Sequence, residues 1–156
     1  PLNSSQKERN KIKEYYYFVL DLILNNPNKL FVLDRFIWSE MAYSFKRGYE
    51  AIDDVDLVEM ENQISKIPHL VIHLSPLEEI IRYRLERDGD EHINQNDISE
   101  LMHRYEIIFE HSPLNKIQVD SSQESSVMLK IIKNYLNKNE HHRDKKRGLE
   151  QLKFNF

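Results

Sequence analysis

The sequence predicts an α/β fold in which helices cover both faces of a parallel sheet. Three short segments predict its strands: Leu30–Leu33, His69–Leu74 and Lys116–Asp120. The first segment is apolar throughout rather than alternating, which is typical of a parallel strand buried on both faces. A helical pattern follows each segment, as βαβ units require. With 156 residues, 40% of them hydrophobic and 31% charged, the chain suits one globular domain with a real core.

Asp34 and Arg35 end the first predicted strand and are the most informative pair in the chain. Ligands of open α/β sheets bind at the carboxyl ends of strands, so we expect both side chains at a ligand site. The alternative is that the acid and the base pair with each other or cap the next helix. An Asp-Arg pair alone does not separate these interpretations.

Periodicity and end signals predict the helices. The first runs from about Ser4 to Leu24 and ends before Asn26-Pro27, and its basic first half is interpreted as a solvated face. The acids of Asp53–Asp56 open another helix, where we prefer a capping role to metal binding. A solvated pair is likewise preferred to a metal site for His141 and His142. The other helices are predicted over 37–43 and beyond, Pro76–Asp90, Asp97–His111 and Glu124–Leu136.

The residues after the first predicted strand carry a family resemblance. Asp34-Arg35-Phe36, followed by Ser39, Ala42 and Tyr43, resembles the DR-aromatic-x-x-S-x-x-A-Y signature of thymidylate kinases, which are P-loop nucleoside and nucleotide kinases. Many members have Gln after that Tyr where this chain has Ser44, which leaves the base preference open. The later segments follow in the family's order, including an arginine-bearing helix and a lid-like loop, so the resemblance covers roughly residues 1–136.

The resemblance implies a three-layer P-loop kinase fold, yet the phosphate loop is absent from the sequence. No G-x-x-x-x-G-K-[ST] occurs, and the three glycines lie far apart. By analogy with the family, about 40 further residues would precede Pro1, and their strand would lie between the strands ending at Asp34 and Leu74. We therefore expect the chain to be the C-terminal part of a longer kinase.

The resemblance also implies a role for each site residue. Asp34 would orient Mg²⁺-bound water or the phosphate loop, and Arg35 would hold the acceptor phosphate, because a guanidinium binds phosphate oxygens in pairs. Arg84 and Arg87 would close over the transferring phosphoryl group. The residues expected beside the acceptor are Ser39, Tyr43, Tyr16 and Arg82, and those beside the adenine of ATP are Ser121 and Ser122. A solvated helix face for the arginines and a core position for Tyr43 are the alternatives.

The expected reaction is transfer of the γ-phosphoryl group of ATP, with Mg²⁺, to a deoxynucleoside monophosphate, with dTMP favoured. Such an acceptor is already ionised near neutral pH and needs no general base. A deoxynucleoside kinase is the alternative enzyme, although its hydroxyl acceptor requires a carboxylate base. A non-catalytic nucleotide-binding or interaction module without a phosphate loop is the alternative from another class.

Composition limits the other partners. The net charge of -4 gives no footprint for nucleic acid polymers, and no apolar run approaches the roughly 20 residues of a membrane span. The absence of Cys permits a reducing cytoplasm, where we expect the protein to act on a deoxynucleotide. A homodimer through surface helices stays open. Residues 137–156 are predicted to form a charged tail that is mobile or docks through its apolar end.

Overall fold

The computed structural model describes residues 4–90 and 93–138, with side chains from Gln6 onward. Its helices are α1 (Ser4–Leu24), α2 (Ile37–Arg47), α3 (Asp54–Ile64), α4 (Glu78–Asp88), α5 (Ile98–His111) and α6 (125–138). Its strands are β1 (Val71–Leu74) and β2 (Lys116–Val119), and a short 3-10 turn, Gln95–Asp97, leads into α5. Each predicted helix is present, and α1 has the predicted bounds. In this part of the chain no helix is both long and apolar enough to cross a bilayer.

The described residues form two compact units. The first contains the residues up to Val71 together with Glu78–Lys116, and the second contains Ile72–Leu77 and the residues from Ile117 on. The boundary predicted at residue 136 between a kinase-like domain and a tail stays a prediction. Residues 139–156, with His141 and His142, lie outside the described residues.

Strands β1 and β2 form a parallel sheet. The N–H of Val71 donates to the carbonyl of Asn115, and the N–H of Ser75 donates to that of Val119, both at 2.9 Å. These bonds advance in the same direction on both strands, so the α/β class with parallel strands is confirmed. The second predicted strand, His69–Leu74, was also expected to be buried, but Ile72 and Leu74 of β1 are 40% and 52% exposed, so this expectation is wrong.

The predicted strand Leu30–Leu33 is wrong. Residues 30–33 have no regular secondary structure, and Leu30 and Val32 are 91% and 85% exposed. A buried strand needs a hydrogen-bonded neighbour and cover on both faces, and among residues 4–90 and 93–138 no strand pairs with this segment. An apolar run therefore identifies residues that can be buried, but it does not provide the neighbouring strand that a sheet requires.

The core of the first unit forms where α2 meets α1, α3 and α5. Apolar residues recur at helical spacing on these elements, so each helix presents one face to the others. The buried members are Leu20, Ile37, Trp38, Ile52 and Met60. From α5, the ring of Phe109 meets that of Trp38 edge-on at 6.0 Å between centroids. Tyr16 and Tyr17 also pack against this core, whereas Tyr15 is 60% exposed.

A buried carboxylate links three elements inside this core. Glu61 of α3 is 3% exposed, and its Oε1 accepts hydrogen bonds from Trp38 Nε1 at 2.9 Å and from Ser112 Oγ at 2.5 Å. A buried charge is costly unless it is hydrogen-bonded. Glu61 therefore holds α2, α3 and the end of α5 in one arrangement, because each donor loses its partner if any of them shifts.

The acids at the start of α3 act as a cap, as predicted. Asp53 accepts a bond from the N–H of Asp56 at 2.9 Å, and the Asp56 carboxylate accepts one from the N–H of Asp53 at 3.3 Å. The same carboxylate binds Lys13 Nζ at 2.5 Å and the Tyr17 hydroxyl at 3.2 Å. Lys13 therefore links α1 to α3, although 42% of its side chain remains exposed to solvent.

Replacing Met60 by Ala is expected to lower the free energy of unfolding by about 2–4 kcal/mol, because Met60 is fully buried and its truncation leaves a cavity. Urea denaturation measures the change. Val55→Ala is the matched control, since Val55 is 75% exposed on the same helix and its loss is expected to matter by less than about 0.5 kcal/mol. Equal effects of the two changes would contradict this placement of α3.

Asp56 is expected to make stability depend on pH. Burial raises the pKa of Asp56, but Lys13 and the N–H of Asp53 outweigh burial and hold the pKa below its ordinary value. A lowered folded-state pKa adds stability above the unfolded-state pKa, and this stability is lost as the pH falls through the folded value. We expect Asp56→Asn to cost about 1–2 kcal/mol at pH 7, and the deficit to shrink below about pH 4.

Urea denaturation at a series of pH values measures this difference. Asp54→Asn is the control, because it removes the same charge from the same turn at an exposed carboxylate. A deficit of Asp56→Asn that stayed constant from pH 7 to pH 3 would show that the charge of Asp56 is not the stabilising feature.

Candidate functional site

Arg35 has an uncommon backbone conformation immediately before α2. Its φ is 58°, and within residues 4–90 and 93–138 no other non-glycine residue has a positive φ. This conformation costs a side-chain-bearing residue about 1 kcal/mol or more and often occurs at functional sites. The guanidinium lies over the ring of Tyr43, with 5.3 Å between Cζ and the ring centroid. Asp34 and Arg35 are both exposed and therefore accessible to a ligand.

Ser39 and Tyr43, two predicted acceptor-site residues, lie together with Tyr105 of α5. The Tyr105 hydroxyl donates to Ser39 Oγ at 2.7 Å, and the rings of Tyr43 and Tyr105 meet edge-on at 6.5 Å between centroids. Burial raises the pKa of Tyr105, so its hydroxyl stays protonated and remains a donor at neutral pH. The ring over which Arg35 lies is thus supported from a second helix.

The N-terminus of α2 beside Arg35 has no side-chain cap. Phe36 occupies the capping position, and its side chain makes no capping hydrogen bond; its carbonyl accepts from the N–H groups of Ser39 and Glu40. Uncapped N–H groups and the helix dipole favour an anion at this end. The Phe36 ring packs against Tyr16, another predicted acceptor-site residue, at 5.3 Å between centroids.

A buried ion pair supports the other side of α2. Glu40 is 8% exposed and pairs with Arg47, which lies about two turns further along the same face of the helix. Burial raises the pKa of Glu40, and Arg47 offsets part of that effect. Burial, followed by the charge of Glu40, raises the pKa of Tyr16 to about 12. Tyr16 is therefore a neutral hydroxyl at physiological pH.

A polar cleft of about 470 Å³ opens beside this ion pair. The Tyr49 ring lies within cation–π distance of two guanidiniums, 5.0 Å from Arg9 and 5.6 Å from Arg47. Ser44, which follows the predicted acceptor-site Tyr43, also lines this cleft. Arg9 was predicted on a solvated face, and this prediction is wrong because its side chain is half-buried against Tyr49.

The predicted arginines of α4 differ from one another. Arg82 donates to Glu78 Oε1 at 2.9 Å, to the carbonyl of Gln95 at 2.6 Å and to Ser99 Oγ at 3.0 Å, so it joins α4 to α5. Arg87 donates to the Asp88 carboxylate at 2.6 and 2.8 Å. Arg84 is exposed on the same helix. Arg82 therefore has a structural role whether or not it also binds a substrate.

Ser121 and Ser122 belong to the second unit. The N–H and the hydroxyl of Ser122 both donate to Asp120 Oδ1, at 2.8 and 2.5 Å, which forms a tight turn after β2. Within the first unit, the structure thus places Arg35, Ser39, Tyr43 and Tyr16 around α2 and the α4 arginines on another helix.

Sequence reasoning missed Tyr105, Arg9 and Tyr49 as parts of this site. Tyr105 lies 66 residues from its partner Ser39, and neither position carries a local signal of the contact. Arg9 looked like one of several basic residues at the start of a helix. The one sequence signal for the cleft was Tyr49, which follows Gly48 in the turn between α2 and α3. A ring in such a turn lies close to both helices.

The donor set fits a phosphate monoester better than a resident metal. Arg35 and the uncapped N-terminus of α2 offer positive charge and N–H donors, and Asp34 offers one exposed carboxylate suited to a metal-bound water. Within the described residues, no group of three His, Cys, Asp or Glu residues is placed to bind a metal ion.

Comparisons with known proteins show similarity to a prophage-derived protein and to a solved structure. No family model matches the chain. The SPbeta prophage-derived uncharacterized protein YorR of Bacillus subtilis (strain 168) is 29% identical over 97 residues, which are 61% of this chain and 58% of that protein. The chain thus spans less than two thirds of that relative. The crystal structure of Bacillus subtilis YorR in complex with phosphorylated GDP has a TM-score of 0.65 and 25% identity, and the match covers 83% of this chain and 72% of that one.

Proposed function

We propose that this chain is part of an ATP-dependent kinase that phosphorylates a deoxynucleoside monophosphate. The observation that carries the proposal is Arg35, which is held in a left-handed conformation at the uncapped start of α2 with its guanidinium over Tyr43. The similarity to YorR, whose crystal structure contains phosphorylated GDP, supports a nucleotide as the ligand. The three-layer P-loop kinase sheet and a cytoplasmic location belong to the same proposal.

The acceptor phosphate would bind between Arg35 and the start of α2. A monoester phosphate carries close to two negative charges, so a guanidinium fork and helix N–H donors stabilise it together. Phosphoryl transfer depends mostly on positioning and charge neutralisation, which an arginine held by an aromatic ring provides. Tyr43, itself held by Tyr105, limits the directions in which the Arg35 guanidinium points.

The acceptor base would occupy the polar cleft lined by Ser44, Arg9 and Tyr49. Ser44 stands where many thymidylate kinases have Gln, at the position that bears on base preference. A flat base suits a cleft in which an aromatic ring and guanidinium planes already lie within cation–π distance. Because the ligand of YorR carries guanine, dGMP is tested beside dTMP.

ATP and Mg²⁺ would be supplied on the donor side of the reaction. Mg²⁺ neutralises the charge of the transferring phosphates, and the exposed Asp34 is suited to hold one of its water ligands. The sequence contains no Gly-rich loop ending in Lys-Ser or Lys-Thr for the ATP phosphates. The exposed Leu30 and Val32 are consistent with a further strand that covers residues 30–33 in the active protein.

The direct test is phosphoryl transfer from ATP to dTMP, dGMP, dCMP and thymidine, with the natural full-length protein. Transfer to a monophosphate supports the proposal and names the acceptor. Transfer to thymidine alone would assign a nucleoside kinase instead. Nucleotide binding without any transfer would overturn the kinase proposal and leave a binding module.

Replacing Arg35 by Ala is expected to lower turnover at least tenfold, because the acceptor phosphate loses its bidentate partner. Arg35→Lys is expected to recover only part of the activity, since an ammonium binds as a point charge. Lys29→Ala is the control, because it removes one positive charge from the exposed loop that precedes α2. Near-normal activity of Arg35→Ala would remove the assigned role.

Two arginines of α4 are expected to have different roles: Arg82 a structural one and Arg84 a catalytic one. Arg82→Met is expected to lower the melting temperature by several degrees, because three partners lose their donor. Arg84→Met is expected to lower kcat at least tenfold, because the resemblance implies that Arg84 closes over the transferring phosphoryl group. The melting temperature is expected to stay unchanged, because Arg84 is exposed. Thermal unfolding and steady-state kinetics measure both, and unchanged kcat for Arg84→Met would contradict its place in the lid.

A further inference from the structure

A second and larger cleft lies between α3 and α5 in the first unit, and it shares Glu50 and Arg104 with the polar cleft beside Tyr49. Its volume is about 700 Å³, which lies within the range of small-molecule sites. Its walls are mostly apolar, and Val58 on α3 and Ile107 on α5 are 57% and 44% exposed there. The other apolar residues that line it are Met41, Leu57, Ile108 and Pro113.

Glu61 gives this apolar cleft a buried negative charge. The side chain is 97% removed from solvent, yet it lines the cleft, and both of its hydrogen-bond donors reach the same oxygen, Oε1. Both donors, from Trp38 and Ser112, are neutral. No ion pair of the described residues includes Glu61, so Oε2 retains its capacity to accept a charged donor from the cleft.

The charges around the cleft favour a cation on its α3 side. Glu50 and Asp54 stand on that side. On the α5 side, Glu100 is neutralised by Arg104 at 2.6 Å, and the basic or titratable rings are His103 and His111. An ammonium group would therefore be attracted toward the carboxylates of the α3 side, where Glu61 lines the cleft.

We propose that this cleft is a second ligand site, which takes an organic cation with an apolar body, of the primary alkylamine class. The ammonium group donates to Glu61 Oε2, and the alkyl chain covers Leu57, Val58 and Ile107. A ligand of this class accounts for both unusual features of the cleft. Its ammonium group pairs with the buried Glu61 carboxylate, and its alkyl chain covers the exposed apolar walls. The inference rests on no part of the proposed kinase reaction.

Trp38 allows the site to be tested by fluorescence. It is the only Trp of the chain, it is buried, and its indole N–H is bound to Glu61, so its emission reports on that carboxylate. Octylamine is the probe, and 1-octanol is its uncharged equivalent. We expect a saturable change of emission with octylamine and at least a tenfold weaker response to the alcohol. An equal response to both, or a change that does not saturate, would overturn the proposal.

Two substitutions and one competitor complete the test. Glu61→Gln keeps an acceptor for Trp38 and removes the charge, so the affinity for octylamine is expected to fall at least tenfold, whereas the exposed Glu106→Gln on α5 leaves it unchanged. Val58→Lys adds a cation to the exposed wall without touching the core, and is expected to weaken binding similarly. Unchanged affinity in both variants, or displacement of octylamine by GDP, would overturn a separate cationic site.

Discussion

The burial of α2 from several sides is the constraint on which the described first unit depends. Ile37 and Trp38 enter the core, and Ser39 and Tyr43 meet Tyr105. Glu40 pairs with Arg47, and Ser44 lines the polar cleft. A rotation of the helix that improved one face would expose another, so packing determines its orientation closely. The Arg35 backbone is connected directly to this helix. Its position is therefore set by the core, not by the exposed loop in which it lies.

Three buried carboxylates are stabilised in three different ways in the same unit. Asp56 binds an ammonium and two backbone or hydroxyl donors, Glu40 pairs with Arg47, and Glu61 has two neutral donors on one oxygen. The first two are largely compensated, because an opposite charge offsets the loss of hydration. Glu61 is the exception, and it is also the one that lines a large apolar cleft. Asp56 and Glu40 are therefore structural charges, whereas Glu61 is the carboxylate that we propose binds a ligand.

Local signals predicted the helices well, whereas sheet burial and long-range contacts were not predictable from one sequence. The Asn26-Pro27 stop and the acidic start at Asp53 depend on neighbouring residues, and both were placed within a residue. Leu30–Leu33 failed because strand formation needs a partner that an apolar run does not specify. Ser39, Tyr43 and Arg35 were expected at one site from the family resemblance, but the contacts of Tyr105 with Ser39 and of Arg9 with Tyr49 join segments distant in the sequence.

The conformation of Arg35 connects the fold to the proposed chemistry. A left-handed residue that bears a long side chain is unfavourable, so its retention implies that surrounding contacts outweigh the strain. The identified contacts are a cation–π interaction with Tyr43 and the rigid helix that follows. Neither contact uses all the N–H donors of the guanidinium, and the start of α2 beside it is uncapped. The Arg35 guanidinium is thus exposed to solvent beside an uncapped helix start, an arrangement suited to the anionic ligand that we propose.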